Sequence, residues 1–197
     1  MPPDALAPAA PRPATPAAVE AYGFRPVVPA DLPLIAGWLA RPHVAEWWDG
    51  DGLGEIREAL TDPATRPHIV ALGGRPIGYL QCYDPHREEG HPYRDQPPGT
   101  LGIDQFIGEP DLVGIGHGSR LIGAFVAGLF REGAVRVVTD PDPANGRAVR
   151  AYEKAGFRAL GRRHSVYGSV LLMACDAPLR SHDGPPARDA TTPSSPA

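Results

Sequence analysis

The chain has 197 residues, 42% of them apolar, and a formal net charge of −4, which suits one domain with a sizeable core. That charge, with no basic stripe, excludes an ordinary nucleic-acid binder. The absence of any apolar run of about eighteen residues excludes a membrane-spanning helix.

Met1 to Glu20 is rich in Pro and Ala and lacks the basic start and apolar stretch of a signal peptide. Residues 179–197 are rich in Pro, Ser, Thr and Asp. Neither end has apolar periodicity, so both are expected to be disordered tails around a domain at 21–178. Cys82 and Cys175 give neither zinc spacing nor a disulfide framework. They read as buried reduced thiols, as in a cytoplasmic protein.

Within the domain, Tyr22 to Val28 alternates apolar and polar residues and predicts a strand. Asp31 is placed to cap a helix carrying Leu32, Leu34, Ile35, Trp38 and Leu39, which Pro42 ends. A short helix follows at Leu53 to Leu60. His68 to Leu72 and Ile77 to Tyr83 predict two strands joined by the turn Gly73-Gly74-Arg75-Pro76. Asp84 to Pro98 is polar and turn-rich, long enough to be a functional surface loop. Thr100 to Ile107 is a further strand.

Val113-Gly114-Ile115-Gly116-His117-Gly118-Ser119 then precedes a helix on which Leu121, Ile122, Phe125, Val126, Leu129 and Phe130 recur at helical spacing. Alternating glycines at a helix start can present backbone amides to an anion such as a pyrophosphate. They can equally make a simple tight turn. The spacing is that of neither a P-loop nor a dinucleotide-binding fingerprint. Ala134 to Thr139 is a buried strand, Asn145 to Ala155 a helix closed by Gly156 at a left-handed position, and Phe157 to Leu160 and Val166 to Ala174 the last strands. The order predicts an α/β (α+β layered) domain.

The Gly-rich turn, taken with Asn145-…-Tyr152-Glu153-Lys154-Ala155-Gly156-Phe157, resembles the GNAT acetyltransferases. Their pattern is Gln/Arg-x-x-Gly-x-Gly/Ala followed by Asn-…-Tyr-x-Lys-x-Gly-Phe. Gly116 and Gly118 match the loop glycines, and Val113 stands where the family usually has Gln or Arg. Arg41-Pro42-His43-Val44-Ala45-Glu46-Trp47-Trp48, Gly78-Tyr79-Leu80-Gln81, Gly102-Ile103-Asp104-Gln105 and Thr139-Asp140-Pro141 narrow the resemblance to the aminoglycoside 6′-N-acetyltransferases. It covers about Arg41 to Ala174, leaving the Asp84–Pro98 loop unaligned.

The resemblance implies a mixed, mostly antiparallel sheet flanked by helices, and acetyl-CoA as cosubstrate with no metal. It implies a monomer or homodimer acting on a small polycationic amine, with no nucleic-acid or membrane partner. A hydroxylysine-type siderophore precursor is the alternative acceptor, and a non-catalytic acetyl-CoA-binding module the alternative class.

In that frame Val113, Gly114, Ile115, Gly116, His117, Gly118 and Ser119 would hold the pyrophosphate, with Asn145 a further cofactor contact. Asp104, on the strand entering the loop, is expected to be the base or to orient the reacting ammonium. Tyr152 is implied as the acid that protonates the leaving thiolate. A backbone N–H near Gln105 or Phe106 would hold the developing oxyanion. Trp47 and Trp48 offer faces to a sugar ring or pack in the core. Tyr79 and Gln81 share one strand face, and Asp95 and Asp140 are placed to pair with outer ammonium groups. His43, His68 and His117 show no metal-ligand spacing.

Overall fold

A computed structural model describes residues 21–178 apart from 49, 166 and 167. The expected tails, and Val166, lie outside the described residues. Seven strands form one sheet: β1 Tyr22–Pro26, β2 Thr65–Leu72, β3 Arg75–Tyr83, β4 Thr100–Ile107, β5 Arg136–Thr139, β6 Arg158–Ser165 and β7 Gly168–Asp176. The helices are α1 Leu32–Leu39, α2 Pro42–Ala45, α3 Gly52–Ala59, α4 His117–Arg131 and α5 Gly146–Lys154. Strand order is β1-β2-β3-β4-β5-β7-β6. Every neighbouring pair is antiparallel except β4 and β5, which run parallel and are linked through the crossover helix α4, as parallel strands require. This is the mixed, mostly antiparallel sheet of the GNAT fold.

One core lies between the sheet and the pair α4–α5, centred on Ile77, Leu80, Ile103, Ile122, Val137 and Met173. Leu121, Ile122, Phe125, Val126 and Leu129 are the buried stripe of α4, as its periodicity predicts. A second cluster joins α1 and α3 to the sheet through Ile35, Trp38, Ile56, Ile69, Tyr79 and Phe106.

Three local expectations are corrected. Asp31 makes no side-chain cap on α1; it closes the preceding 3-10 turn. Its carboxylate accepts from the Val28 amide at 2.9 Å and pairs with both Arg25 guanidinium nitrogens at 2.7 Å. Pro42 stands beyond the end of α1 and opens α2 at the first helical position, where its missing N–H has no cost. The hairpin turn contracts to Gly73-Gly74, both with positive φ, the conformation a two-residue hairpin turn demands. Arg75 and Pro76 therefore join β3, and Pro76 sits opposite Ala71 where the register slips by a bulge, a place where a strand tolerates a residue without N–H. Cys82 is buried, whereas Cys175 is only half-buried; both are free thiols.

The feature that creates the site is an incomplete pairing. β4 pairs with β3 over Gly102–Ile107 but with β5 only over Thr100–Gly102. Beyond Gly102 the two parallel strands part, and a cleft of about 1400 Å³ opens between them.

Candidate active site

The sheet lays out the cleft's acidic wall by simple alternation. Tyr79, Gln81 and Tyr83 are two residues apart on β3 and share a face. Gln81 lies opposite Asp104 of β4. The Tyr79 hydroxyl donates to Gln81 Oε1 at 2.7 Å, and Gln81 Nε2 donates to Asp104 Oδ2 at 2.9 Å. The relay fixes the Asp104 carboxylate, which lines the cleft. Asp140, just beyond β5, lines the same cleft and accepts from the Tyr93 hydroxyl.

Two carboxylates thus share one enclosed space. Burial pushes the Asp104 carboxyl up to about 7, and the like charge of Asp140 adds to this. The Gln81 hydrogen bond opposes both, and Glu55 raises it slightly further. Asp140 is also held above the usual carboxylate range by burial, against the hydrogen bond from Tyr93. A carboxylate with raised affinity for protons, near neutrality, is suited to accept one from an ammonium.

Tyr152 projects from α5 and is 4% exposed. Burial pushes its phenol well up, which Thr139 and Gln105 beside it partly offset. The phenol stays protonated at neutral pH and can act as a proton donor.

The Gly-rich segment sits across the mouth. Gly114 and Gly116 have φ of 82° and 93°, conformations that a Cβ would strain. Gly116 is the N-cap of α4 and offers no side-chain cap, so the first amides of a 15-residue helix are left for an anion. Asn145 caps α5, accepting from the Ala148 amide at 3.0 Å, and lines the cleft as well. His117 turns the other way, its Nδ1 2.7 Å from the Tyr22 hydroxyl, and Ile115 is 61% exposed. Neither of these two expected cofactor contacts lines the cleft.

The alternation along β4 separates two residues the sequence left together. The Gly108 amide donates to Ile77 of β3. In an antiparallel ladder the inward and outward amides alternate, so Phe106 points its N–H to β3 and Gln105 points its N–H to the parted side. Of the two, Gln105 alone turns its backbone N–H to the parted side, and Phe106 contributes its ring to the core.

Two expected acceptor contacts are corrected. Tyr79 is fully buried, stacked on Phe106 with ring centroids 5.5 Å apart, and reaches the cleft only through Gln81. Asp95 is tied up elsewhere, accepting from Arg163 Nη2 at 2.6 Å, so its charge is neutralised away from the cleft. Of the two indoles, Trp48 packs edge-on against Phe106 and Tyr79 at 5.0 and 5.9 Å. Both line the cleft. The Trp47 indole N–H is buried without a protein acceptor among the described residues.

Residues the sequence reading missed come mainly from the long loop. His91 and Tyr93 enter the cleft beside Tyr83, with ring centroids 5.3 Å apart in each pair with His91. His91 Nδ1 accepts from the Tyr93 amide at 3.1 Å. Tyr83 had a signal, being the next residue on the Tyr79–Gln81 face. His43 also lines the cleft and is held 3.0 Å from the Ile107 carbonyl. Among the described residues no cluster of His, Cys, Asp and Glu can hold a metal, and no helix is long and apolar enough to cross a membrane.

Comparison with known proteins points the same way as this geometry. Residues 27–164 match the model of the Acetyltransferase (GNAT) domain. The aminoglycoside N(6′)-acetyltransferase type 1 of Klebsiella pneumoniae is 38% identical over 154 residues, covering 73% of this chain and 77% of that protein. The lysine N-acyltransferase MbtK of Mycolicibacterium paratuberculosis is 32% identical over 183 residues, 89% and 82% of the two chains. Among solved structures, AAC(6′)-Ib with paromomycin and acetyl-CoA superposes with a TM-score of 0.73 at 33% identity, covering 80% of this chain and 94% of that one.

Proposed function

The chain belongs to the GNAT acetyltransferases, and from that membership we propose that it transfers the acetyl group of acetyl-CoA to the 6′-amino group of an aminoglycoside. The observation that carries the acceptor is the polarised cleft. Asp104 and Asp140 share its inner wall, a surface that favours a ligand with several ammonium groups. The donor would enter at the glycine loop, whose amides face the same cleft.

In this reading Asp140 and Glu55 draw the polycation in, and Trp47 and Trp48 offer it flat faces. Asp104, held by Gln81, accepts a proton from the reacting ammonium, so that a neutral amine attacks the thioester carbon. The Gln105 amide faces the oxygen on which negative charge grows. As the carbon–sulfur bond breaks, Tyr152 supplies a proton to the sulfur, and the proton that the nitrogen sheds on becoming an amide restores the phenol. Holding both reactants in one cleft supplies much of the acceleration. We take it to act in the cytoplasm, where its acyl donor is found, as a monomer or homodimer.

Thiol release from acetyl-CoA is the direct test, with kanamycin, gentamicin, a lysine-type amine and a peptide as acceptors. Kanamycin should be turned over and its product should carry the acetyl group on the 6′ nitrogen by NMR. Turnover of the lysine-type amine alone would shift the acceptor to a siderophore-precursor amine, the reading that the similarity to a lysine N-acyltransferase favours second. No turnover of any acceptor, with acetyl-CoA bound, would leave a non-catalytic binding module.

Tyr152→Phe should lower kcat by about 10²-fold or more, up to about 10⁴-fold, the range of general-acid help, while acetyl-CoA affinity changes little. The comparison is of kcat against a calorimetric Kd; wild-type kcat would reduce Tyr152 to packing.

A further inference from the structure

The long loop 84–98 is pinned to the sheet by partners remote in sequence. Asp95 pairs with Arg163 of β6 at 2.6 Å. Arg136 of β5 donates to Gln96 Oε1 at 3.1 Å, and the Gln96 carbonyl lies 3.1 Å from the His86 ring. So anchored, the loop sets the buried Tyr93 ring against Val138, Leu172 and Ala174. Its hydroxyl then donates to Asp140 Oδ2. The catalytic reading gives this tyrosine no task.

The two carboxylates of the cleft have unlike partners. Asp104 accepts from the carboxamide N–H of Gln81. Asp140 accepts from a phenol, a far more acidic donor and so a better one for an anion. Neither partner carries charge. A neutral donor holds an anion without cancelling it, so Asp140 stays available to an ammonium, as Asp95 beside Arg163 does not. The other groups acting at this point are Asp104 from β4 and the phenols of Tyr83 from β3 and Tyr152 from α5. Glu55, His91, Arg147 and Arg150 line the same cleft. Two like charges in one enclosed space compete for a proton, and the carboxylate with the better donor keeps its charge.

We propose that Tyr93 is a positioning residue: its hydroxyl, delivered by the anchored loop, keeps Asp140 ionised and so leaves the contested proton to Asp104. This rests on Asp104 being the base and Asp140 the binder of a further ammonium.

The test is ¹³C NMR of the side-chain carboxyl carbons in the ligand-free full chain from pH 4 to 9. Asp104→Asn and Asp140→Asn identify the two signals. In wild type the upper step of the pair, at about 7, should move chiefly the Asp104 carbon. Tyr93→Phe keeps the ring and removes only the hydroxyl. Proton binding at Asp140 should then tighten about tenfold or more, the worth of a hydrogen bond to a charged group. Asp140 should join the upper step, and the share of Asp104 in it should shrink. A wild-type upper step centred on Asp140 would overturn the proposal, with no variant needed. So would a folded Tyr93→Phe protein with wild-type titration.

With kanamycin, the KM of Tyr93→Phe should rise several-fold at pH 6.5 and hardly at pH 8.5, where both carboxylates are ionised, while kcat is kept. Equal loss at both pH values would make Tyr93 an acceptor contact or a packing residue and overturn the proposal. A wild type that turns over no aminoglycoside would overturn the acceptor reading instead. The carboxyl titration, which uses no substrate, would still decide the role of Tyr93.

Discussion

Asp104→Asn should cut kcat/KM for kanamycin by at least about a hundredfold, the low end of what a general base contributes, and at the same time make the substrate-free protein more stable above neutral pH. The amide keeps the carboxylate's shape, and its oxygen can still accept from Gln81 Nε2, which lies 2.9 Å from Oδ2. What is removed is the charge and the basicity.

The stability gain follows from the direction of the shift. Burial and Asp140 raise the folded-state value to about 7, against about 3.9 in an unfolded chain. The folded protein therefore holds this proton more tightly than the unfolded one. The associated stability is present in full below about pH 4 and is lost as pH rises toward 7 and beyond. Asn cannot ionise, so its contribution is flat. The difference in melting temperature between variant and wild type should be small at pH 4 and grow through pH 7. Wild-type kcat/KM should fall as pH drops below about 7, because the protonated carboxyl cannot accept. Calorimetric melting temperatures and initial rates across pH 5 to 9 check both. An Asn variant that is less stable at pH 8 would show that burial of the Asp104 charge costs nothing, and one that keeps activity within a few-fold would show that Asp104 is not the base.

Gly116→Val should abolish measurable acetyl-CoA binding while the domain remains folded. Gly116 sits at φ 93° as the N-cap of α4, a conformation that costs a β-branched residue about 1–3 kcal/mol. The segment would relax toward negative φ and turn its amides from the cleft. Losing two charge-assisted amide contacts, each worth about 1.5–3 kcal/mol, raises Kd by roughly 10²- to 10⁴-fold. Gly118→Val tests the same surface differently. Gly118 has ordinary φ, and an added Cβ would lie 3.6 Å from the Ala151 Cβ, so the branches would press into the gap between α4 and α5. Calorimetry with acetyl-CoA, beside circular dichroism to confirm folding, decides the matter. A folded Gly116→Val protein with wild-type affinity would place the pyrophosphate elsewhere.

The parts legible in the sequence are those governed by local rules. The glycines before α4, the Asn145 cap and the alternation along β3 each follow from a constraint acting within a few residues. Periodicity likewise gave the buried stripe of α4. What escaped depends on partners remote in the chain. Alternation puts Tyr79, Gln81 and Tyr83 on one face but says nothing of depth. Trp48 and Phe106 cover Tyr79, so the middle residue, not the first, reaches Asp104. Asp95 looked free because Arg163 lies 68 residues away. His91 and Tyr93 belong to a loop without periodicity, and only the folded chain shows Tyr93 under Asp140.

The parting of β4 from β5 at Gly102 divides the labour of the cleft between two kinds of material. In the proposed reading its donor end is largely main chain: amides of a glycine loop, a helix terminus and one strand edge, which most substitutions away from the loop glycines leave in place. Its acceptor end is side chains: carboxylates, indoles and the aromatic residues of one irregular loop. The first half can persist through sequence drift while the second is rewritten by a few point changes. A lineage built this way can exchange one amine for another without relearning how to hold its acyl donor. The named similarities of this chain, to an aminoglycoside enzyme at 38% and to a lysine enzyme at 32% identity, are the pattern such a division would leave.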